Sequence, residues 1–145
     1  MITVELENFS LKEICQSGQC FRMKEAGENV YELIAGDKYL KISQQGTIVN
    51  FYCSDMEFIC YWVPYFDIDA DYSSYIAKIN PRDTYLVEAA ECGSGIRILQ
   101  QDLWEMIITF LISQQNNISR IRGCVERLCE AYGEKKTSGE KEYYA

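Results

Sequence analysis

Histidine is absent from this chain of 145 residues, and proline occurs only twice. The scarcity of proline, together with a 25% charged and 48% hydrophobic composition, argues against extended disorder and favours one core, or two small lobes that share one. The longest apolar run, residues 106–112, is far too short to cross a bilayer. The N-terminus also lacks the pattern of a signal peptide. The sequence therefore predicts a protein with no membrane segment and a cytoplasmic location.

The seven cysteines do not have the pattern of a disulfide framework or of a metal site. Their number is odd, no two stand in a CxxC pair, and no histidine accompanies them. Zinc sites need cysteine or histidine ligands at short, regular spacing. We therefore expect reduced and mostly buried thiols, no metal and no cofactor. The cysteines are Cys15, Cys20, Cys53, Cys60, Cys92, Cys124 and Cys129.

Charge is unevenly distributed along the chain. The formal net charge is −8, from 22 acidic and 14 basic residues, so the chain as a whole is not a polybasic nucleic-acid binder. Residues 55–105 carry ten acids and three bases, whereas residues 113–136 carry five bases and three acids. Any contact with a polyanion is therefore expected to be local and to lie in the second segment.

Period-two alternation predicts an antiparallel sheet of four or more strands in the first third of the chain. Gly36-Asp37 and Gln45-Gly46 provide the expected turns between three of these strands. A further strand is expected within SGQCFRM (17–23), with Gly18 at its start. The three clearest strands are 30–36, 38–43 and 47–52.

Helical periodicity replaces alternation after residue 55. In the first helical segment, Pro64 is expected to end or bend the helix. A glycine-broken link, 92–99, then leads into an extended stretch. The helices expected after residue 55 are 56–66, 69–79 and 82–91. A further short helix, 9–15, is expected before the sheet.

Residues 102–133 predict a helical hairpin with a tight polar corner, SQQNN. Asp102 and Glu105 form a capping box, so the first helix is expected to begin at Leu103. This helix is apolar nearly all round, which is typical of a helix buried on most sides. Asn116 or Asn117 is a suitable N-cap for the second helix.

The second helix of the hairpin carries an apolar stripe and a terminating glycine. Gly133 can close the helix, and the polar residues 134–145 are expected to be a linker or tail. The stripe consists of Ile118, Ile121, Val125, Leu128 and Tyr132.

Three segments, in order, carry a resemblance to a known family. They are SGQCFRM (17–23), WVPYFDID (62–69) and FLISQQNNISRIRGCVERLCEAYG (110–133). Together they resemble the N-terminal half of 8-oxoguanine DNA glycosylases, and the likeness runs from about Phe9 to Gly133. The third segment is the most specific of the three.

The resemblance implies an α+β fold and a division of the chain into three parts. Residues 1–100 would form the TATA-binding-protein-like N-terminal domain, an antiparallel sheet with packed helices. Residues 101–133 would begin an all-α helix-hairpin-helix domain that is cut short, and residues 134–145 would be the linker. The expected location is the cytoplasm of a bacterial or archaeal type of cell, on the nucleoid when the protein is bound to DNA.

The resemblance also implies site residues. Gly18 falls where the family uses a backbone carbonyl to accept a hydrogen bond from N7–H of 8-oxoguanine, a proton that guanine lacks. Gln115, Asn116 and Asn117 fall in the corner that penetrates the duplex, and Arg120 matches the arginine that reads the unpaired cytosine. Gln115 departs from the family, which has asparagine there.

The catalytic residues of the family have no counterpart in this chain. The eight lysines lie in strands, turns or the tail, outside any helix-hairpin-helix pattern, and neither the lysine nucleophile nor the catalytic aspartate is matched. We therefore expect a full-length glycosylase and AP lyase that acts on double-stranded DNA with an oxidised purine, and an inactive 145-residue chain. Apolar helical surface left uncovered predicts a homodimer or an ill-ordered helical hairpin.

Two other functions fit parts of the pattern. An alkylated-base glycosylase has the same two-lobe plan but does not need Gly18. A non-enzymatic nucleic-acid or protein interaction module agrees with the charge of −8 and the unmatched catalytic residues. Without the resemblance, Gly18 is a turn glycine, and Arg120 and Arg122 lie on a solvated face.

Overall fold

The computed structural model describes all 145 residues and contains a five-stranded antiparallel sheet followed by helices. The strand order is β1-β5-β4-β3-β2, so the first strand lies at one edge beside the fifth. The α+β class is confirmed, and so are the three clearest strands. The strands of the sheet are β1 Ile2–Glu5, β2 Met23–Gly27, β3 Val30–Ala35, β4 Lys38–Gln45 and β5 Ile48–Tyr52.

Seven α-helical segments accompany the sheet. A π-helical turn over Phe58–Trp62 joins α2 to α3, so that residues 55–65 form one bent helical unit that ends just after Pro64. The helices are α1 Leu11–Gln16, α2 Asp55–Glu57, α3 Val63–Tyr65, α4 Tyr72–Ala77, α5 Thr84–Cys92, α6 Leu103–Ser113 and α7 Ile118–Tyr132. None of them is both long and apolar enough to cross a membrane.

One face of the sheet forms the core. The antiparallel register sets Leu33 opposite Leu40 and Ile42 opposite Phe51, and all four side chains are fully buried. Alternation along each strand therefore turns one set of side chains inward, as the sequence pattern predicts. Helix α1 and the bent helical unit cover this face and contribute the buried side chains Leu11, Ile14, Trp62, Tyr65 and Phe66.

Two expectations for the N-terminal part are wrong. The segment 17–23 is not a strand from Gly18 onward, because β2 begins at Met23 and the preceding residues form bends and turns. The guanidinium of Arg22, just before β2, donates to the backbone carbonyl of Tyr144. Only two cysteines, Cys15 and Cys20, are buried, so the expectation of mostly buried thiols fails.

Helix α6 is the clearest departure from the expected burial. It begins at Leu103 as predicted, with the Asp102 side chain accepting from the N–H of Glu105 at 3.0 Å. None of its residues is buried, however, and Trp104 is 70% exposed. An apolar helix buries its surface only where neighbouring elements cover it, and this chain covers α6 on one side.

The expected linker at 134–145 is instead a β-hairpin. Strands β6 Lys135–Ser138 and β7 Lys141–Tyr144 pair with each other in an antiparallel register. Tyr143 is 8% exposed, its ring packs against Tyr39, and its hydroxyl donates to the carbonyl of Asp37 at 2.9 Å. These long-range contacts fold a polar segment that carries no strong local signal for a strand.

Candidate nucleic-acid interface

An open groove lies between the turn after α1 and one face of α6. Its volume is about 430 Å³, and its walls include Gly18, Phe21 and Gln101 on one side and Phe110 and Ser113 on the other. Ser113 is the last residue of α6, so the polar corner 114–117 begins where the groove ends. The structure thus places Gly18 and the start of the corner along one continuous surface.

Gly18 presents an unused backbone acceptor beside this groove. It adopts φ +78°, in the left-handed region, and no atom lies within 4 Å of the position of an added Cβ. No hydrogen bond in the loops or from the side chains of the chain ends on its carbonyl oxygen. The glycine is therefore required by its backbone conformation and not by crowding, and its carbonyl is free for a ligand.

Gln19 holds this turn and was not singled out from the sequence. Its side-chain N–H groups donate to the carbonyl of Arg97 at 2.9 Å and to Oγ of Ser17 at 3.1 Å. Its side-chain oxygen accepts from the N–H of Leu99 at 3.0 Å. Arg97 and Leu99 lie about eighty positions away along the chain, so no local pattern identifies them.

No lysine and no carboxylate lines the groove. None of its ten lining residues is a lysine, an aspartate or a glutamate. Cys20 lies between two lining residues, but it is 3% exposed, and burial raises the pKa of its thiol. A buried thiol with a raised pKa is a poor nucleophile.

The polar corner divides its side chains between structure and solvent. Asn117 is the N-cap of α7, since its side-chain oxygen accepts from the N–H of Arg120 at 3.0 Å. Asn116 donates to the carbonyl of Ile112 at 3.1 Å and accepts from the N–H of Asn117. Both asparagines therefore hold the corner, which leaves fewer of their atoms for a ligand.

Gln115 in the corner and Arg120 in the first turn of α7 are both exposed. Gln115 has φ +49°, a conformation that costs most residues other than glycine and asparagine about 1 kcal/mol or more. Neither side chain takes part in a hydrogen bond, and the guanidinium of Arg120 makes no salt bridge. Only the backbone N–H of Arg120 is bonded, to the side chain of Asn117. The donors of one free guanidinium and one free amide thus project from the tip.

Arg122 does not belong to this solvated surface. It is half-buried, and its guanidinium donates to the carbonyl of Cys15 at 3.3 Å, at the C-terminal end of α1. The expectation that both arginines lie on a solvated face is therefore wrong for Arg122, which joins α7 to α1. Ile121 and Val125, the two buried members of the apolar stripe, lie on either side of it along the helix.

The comparisons with known proteins agree on one family. Residues 1–107 match the model of the 8-oxoguanine DNA glycosylase, N-terminal domain. The chain is 25% identical to the N-glycosylase/DNA lyase of Saccharomyces cerevisiae, over 91% of the chain and 39% of the yeast protein.

Solved structures give the same result with higher identity. An 8-oxoguanine glycosylase/lyase of Clostridium acetobutylicum, bound to double-stranded DNA with cytosine opposite 8-oxoguanine, is 34% identical with a TM-score of 0.89. The match covers 100% of this chain and 53% of that protein. MBOgg1 in complex with a low-affinity DNA ligand is 34% identical with a TM-score of 0.91, over 99% of this chain and 50% of that protein.

The chain thus spans about half the length of MBOgg1 and 39% of the length of the yeast protein. A 3-methyladenine DNA glycosylase of Archaeoglobus fulgidus also matches, with a TM-score of 0.70 at 14% identity. At that identity the likeness concerns the fold alone.

Proposed function

The chain belongs to the family of 8-oxoguanine DNA glycosylase N-terminal domains, and from this premise we propose that it recognises 8-oxoguanine opposite cytosine in double-stranded DNA. In a longer protein that contains it, recognition would be followed by glycosylase and AP lyase chemistry. The alkylated-base alternative is not favoured, because the likeness to that class is one of fold only.

The carbonyl of Gly18 is the proposed reader of the damaged base. It is the unpaired backbone acceptor at the groove, and a flipped 8-oxoguanine would present its N7–H to it. Guanine has a lone pair at N7 in place of the proton, so in the same position its N7 and the carbonyl oxygen of Gly18 would face each other as two acceptors. A buried acceptor left without a donor costs about 1–3 kcal/mol, which is enough for strong discrimination between the two bases.

Gln115 and Arg120 are the proposed contacts to the vacated duplex. Extrusion of a base costs a few kcal/mol, and groups that fill the gap and pair with the orphaned cytosine offset that cost. Arg120 is exposed and has free donors, which match the acceptors of cytosine. Asn116 and Asn117 would act mainly by holding the corner, since their side chains bond to the backbone there.

We propose that residues 1–145 alone do not release the base. The support is the composition of the groove, which has no lysine to attack the sugar and no carboxylate beside it. In the longer protein, such a lysine would form the Schiff base that leads to strand cleavage.

The free carbonyl of Gly18 at the groove is the observation that carries this proposal. A longer protein with this chain should release 8-oxoguanine from a duplex in which it is paired with cytosine. Residues 1–145 alone should bind that duplex and release nothing. A longer protein that excises 3-methyladenine but not 8-oxoguanine would contradict the assignment.

We propose that a second copy of the chain packs against the exposed apolar face of α6. Leu103 and Trp104, which do not line the groove, are each more than 60% exposed on this helix. Contiguous apolar surface of this kind drives association when no other polypeptide covers it.

A further inference from the structure

Gln19 connects the groove to a distant and rigid part of the chain. We propose that it is a positioning residue, which fixes the orientation of the Gly18 carbonyl and thereby sets discrimination between 8-oxoguanine and guanine. This inference rests on the proposed function and adds to it a residue that lines the groove and whose side-chain amide bonds to the distant backbone at Arg97 and Leu99.

The side-chain amide of Gln19 both donates to and accepts from the backbone of residues 97–99, as the peptide groups of a neighbouring β-strand would. It donates to the carbonyl of Arg97 at 2.9 Å and accepts from the N–H of Leu99 at 3.0 Å. The backbone carbonyl of Gln19 accepts in turn from the side chain of Gln101 at 2.8 Å. Three hydrogen bonds thus fix both the side chain and the following peptide unit of this one residue.

The segment that receives Gln19 is itself immobilised. The buried guanidinium of Arg97 donates to the backbone carbonyls of Glu7, Asn8, Asp67 and Ala70 at 2.9–3.1 Å. Leu99 is 5% exposed and belongs to the main core. Gln19 is therefore tied to the most strongly anchored part of the link between α5 and α6.

Gly18 has no comparable anchor of its own. Its carbonyl accepts no hydrogen bond, and no neighbouring side chain would contact a Cβ at this position. On the preceding side, Ser17 ends α1, with its hydroxyl bonded to the carbonyl of Ile14 at 2.8 Å. The peptide unit that joins Gly18 to Gln19 is thus held by Ser17 on one side and by the Gln19 clamp on the other.

Loss of the clamp should loosen this peptide unit, which would then be held only by the long bond from the Gln19 N–H to Oγ of Ser17 at 3.4 Å, without removing any contact to the DNA backbone. Glycine has a wide range of backbone conformations, so an unclamped Gly18 can turn its carbonyl away from the groove. The consequence is a specific loss of discrimination, with general affinity for DNA retained.

The test compares Gln19→Met with Gln45→Met in the 145-residue chain. Methionine keeps the length of glutamine but lacks the amide, and Gln45 is an exposed glutamine at the end of β4. Hydrogen exchange at the Leu99 amide reports the clamp, and the affinity ratio between duplexes with 8-oxoguanine·cytosine and guanine·cytosine reports discrimination.

Gln19→Met should accelerate exchange at Leu99 and lower the affinity ratio by about fivefold to tenfold, the effect of one hydrogen bond. Affinity for the undamaged duplex should not change, and Gln45→Met should match the wild type in both measurements. If Gln19→Met does not fold, Gln101→Met removes the bond to the Gln19 carbonyl; because Gln101 also lines the groove, this variant should lower the ratio while affinity for the undamaged duplex stays unchanged.

An unchanged ratio in a folded Gln19→Met or Gln101→Met variant would overturn the positioning role. If the wild-type chain binds both duplexes equally, the proposed function fails, and the inference falls with it. These two failures are distinguished by the wild-type measurement alone.

Discussion

Lys141 donates a hydrogen bond of 3.0 Å to the carboxylate of Glu32, and thereby fastens the C-terminal hairpin to the central sheet. Tyr39 donates to the same carboxylate at 2.9 Å, and Lys24 lies 3.8 Å from it. Partial burial opposes the charged form of Glu32, but the Lys141 and Tyr39 hydrogen bonds and the lysine charges outweigh it, so the pKa of Glu32 is lowered.

Docking of the hairpin is therefore predicted to depend on acid pH. A carboxylate whose pKa is lowered by folding contributes stability that is present above its ordinary pKa of 4.5 and is lost as pH falls through the folded value. Amide exchange at Tyr143 and Tyr144 should accelerate below about pH 4.5. Glu32→Gln should reduce this dependence and leave the part that comes from the Lys136–Asp37 ion pair, whereas Glu28→Gln, on the turn before β3, should leave it unchanged.

Gln115→Asn is predicted to stabilise the polar corner. Asparagine tolerates the left-handed conformation that Gln115 adopts at φ +49°, so the variant should gain about 0.5–1 kcal/mol in free energy of unfolding. Urea denaturation measures this change, and Gln114→Asn is the control because Gln114 has φ −59°. A loss of stability would show that the Gln115 side chain makes a contact worth more than the strain.

Arg120→Ala is predicted to weaken binding to DNA that contains 8-oxoguanine opposite cytosine. Removing a charged donor set from an orphaned base should lower affinity by about tenfold to a hundredfold. Arg127→Ala is the matched control, since Arg127 is exposed on the same helix about two turns beyond Arg120. Equal losses for the two variants would mean that only net charge matters.

Trp104→Glu is predicted to convert a dimer into a monomer in sedimentation equilibrium. The side chain is 70% exposed on α6, so a charge there should disrupt association without loss of the fold. Ile59→Glu changes a side chain that is 64% exposed on the bent helical unit and should leave the dimer intact. A wild-type chain that is monomeric at high concentration would refute the proposed dimer interface on α6.

Local chemistry accounts for what the sequence predicted well. Side-chain caps act over three residues, and those of Asp102 and Asn117 are both present in the structure. Strands β3, β4 and β5 alternate because one face of the sheet is buried, which leaves a clear period of two. Gly18 could be placed at a turn for the same local reason.

Long-range contacts account for what the sequence did not predict. The hairpin of residues 135–144 depends on Lys141, Tyr143 and their partners in the sheet, all about one hundred positions away. The clamp of Gln19 spans about eighty positions. Apolar composition showed that α6 requires a cover, but composition alone cannot show which polypeptide provides it.

Equilibrium binding to three duplexes tests the central claim most directly. One carries 8-oxoguanine opposite cytosine, one carries guanine, and one carries 7-deaza-8-oxoguanine, which has C–H in place of N7–H. The 145-residue chain should bind the first at least about tenfold more tightly than the other two, since only it donates to the Gly18 carbonyl. Equal affinity for all three duplexes would contradict recognition of 8-oxoguanine by this chain.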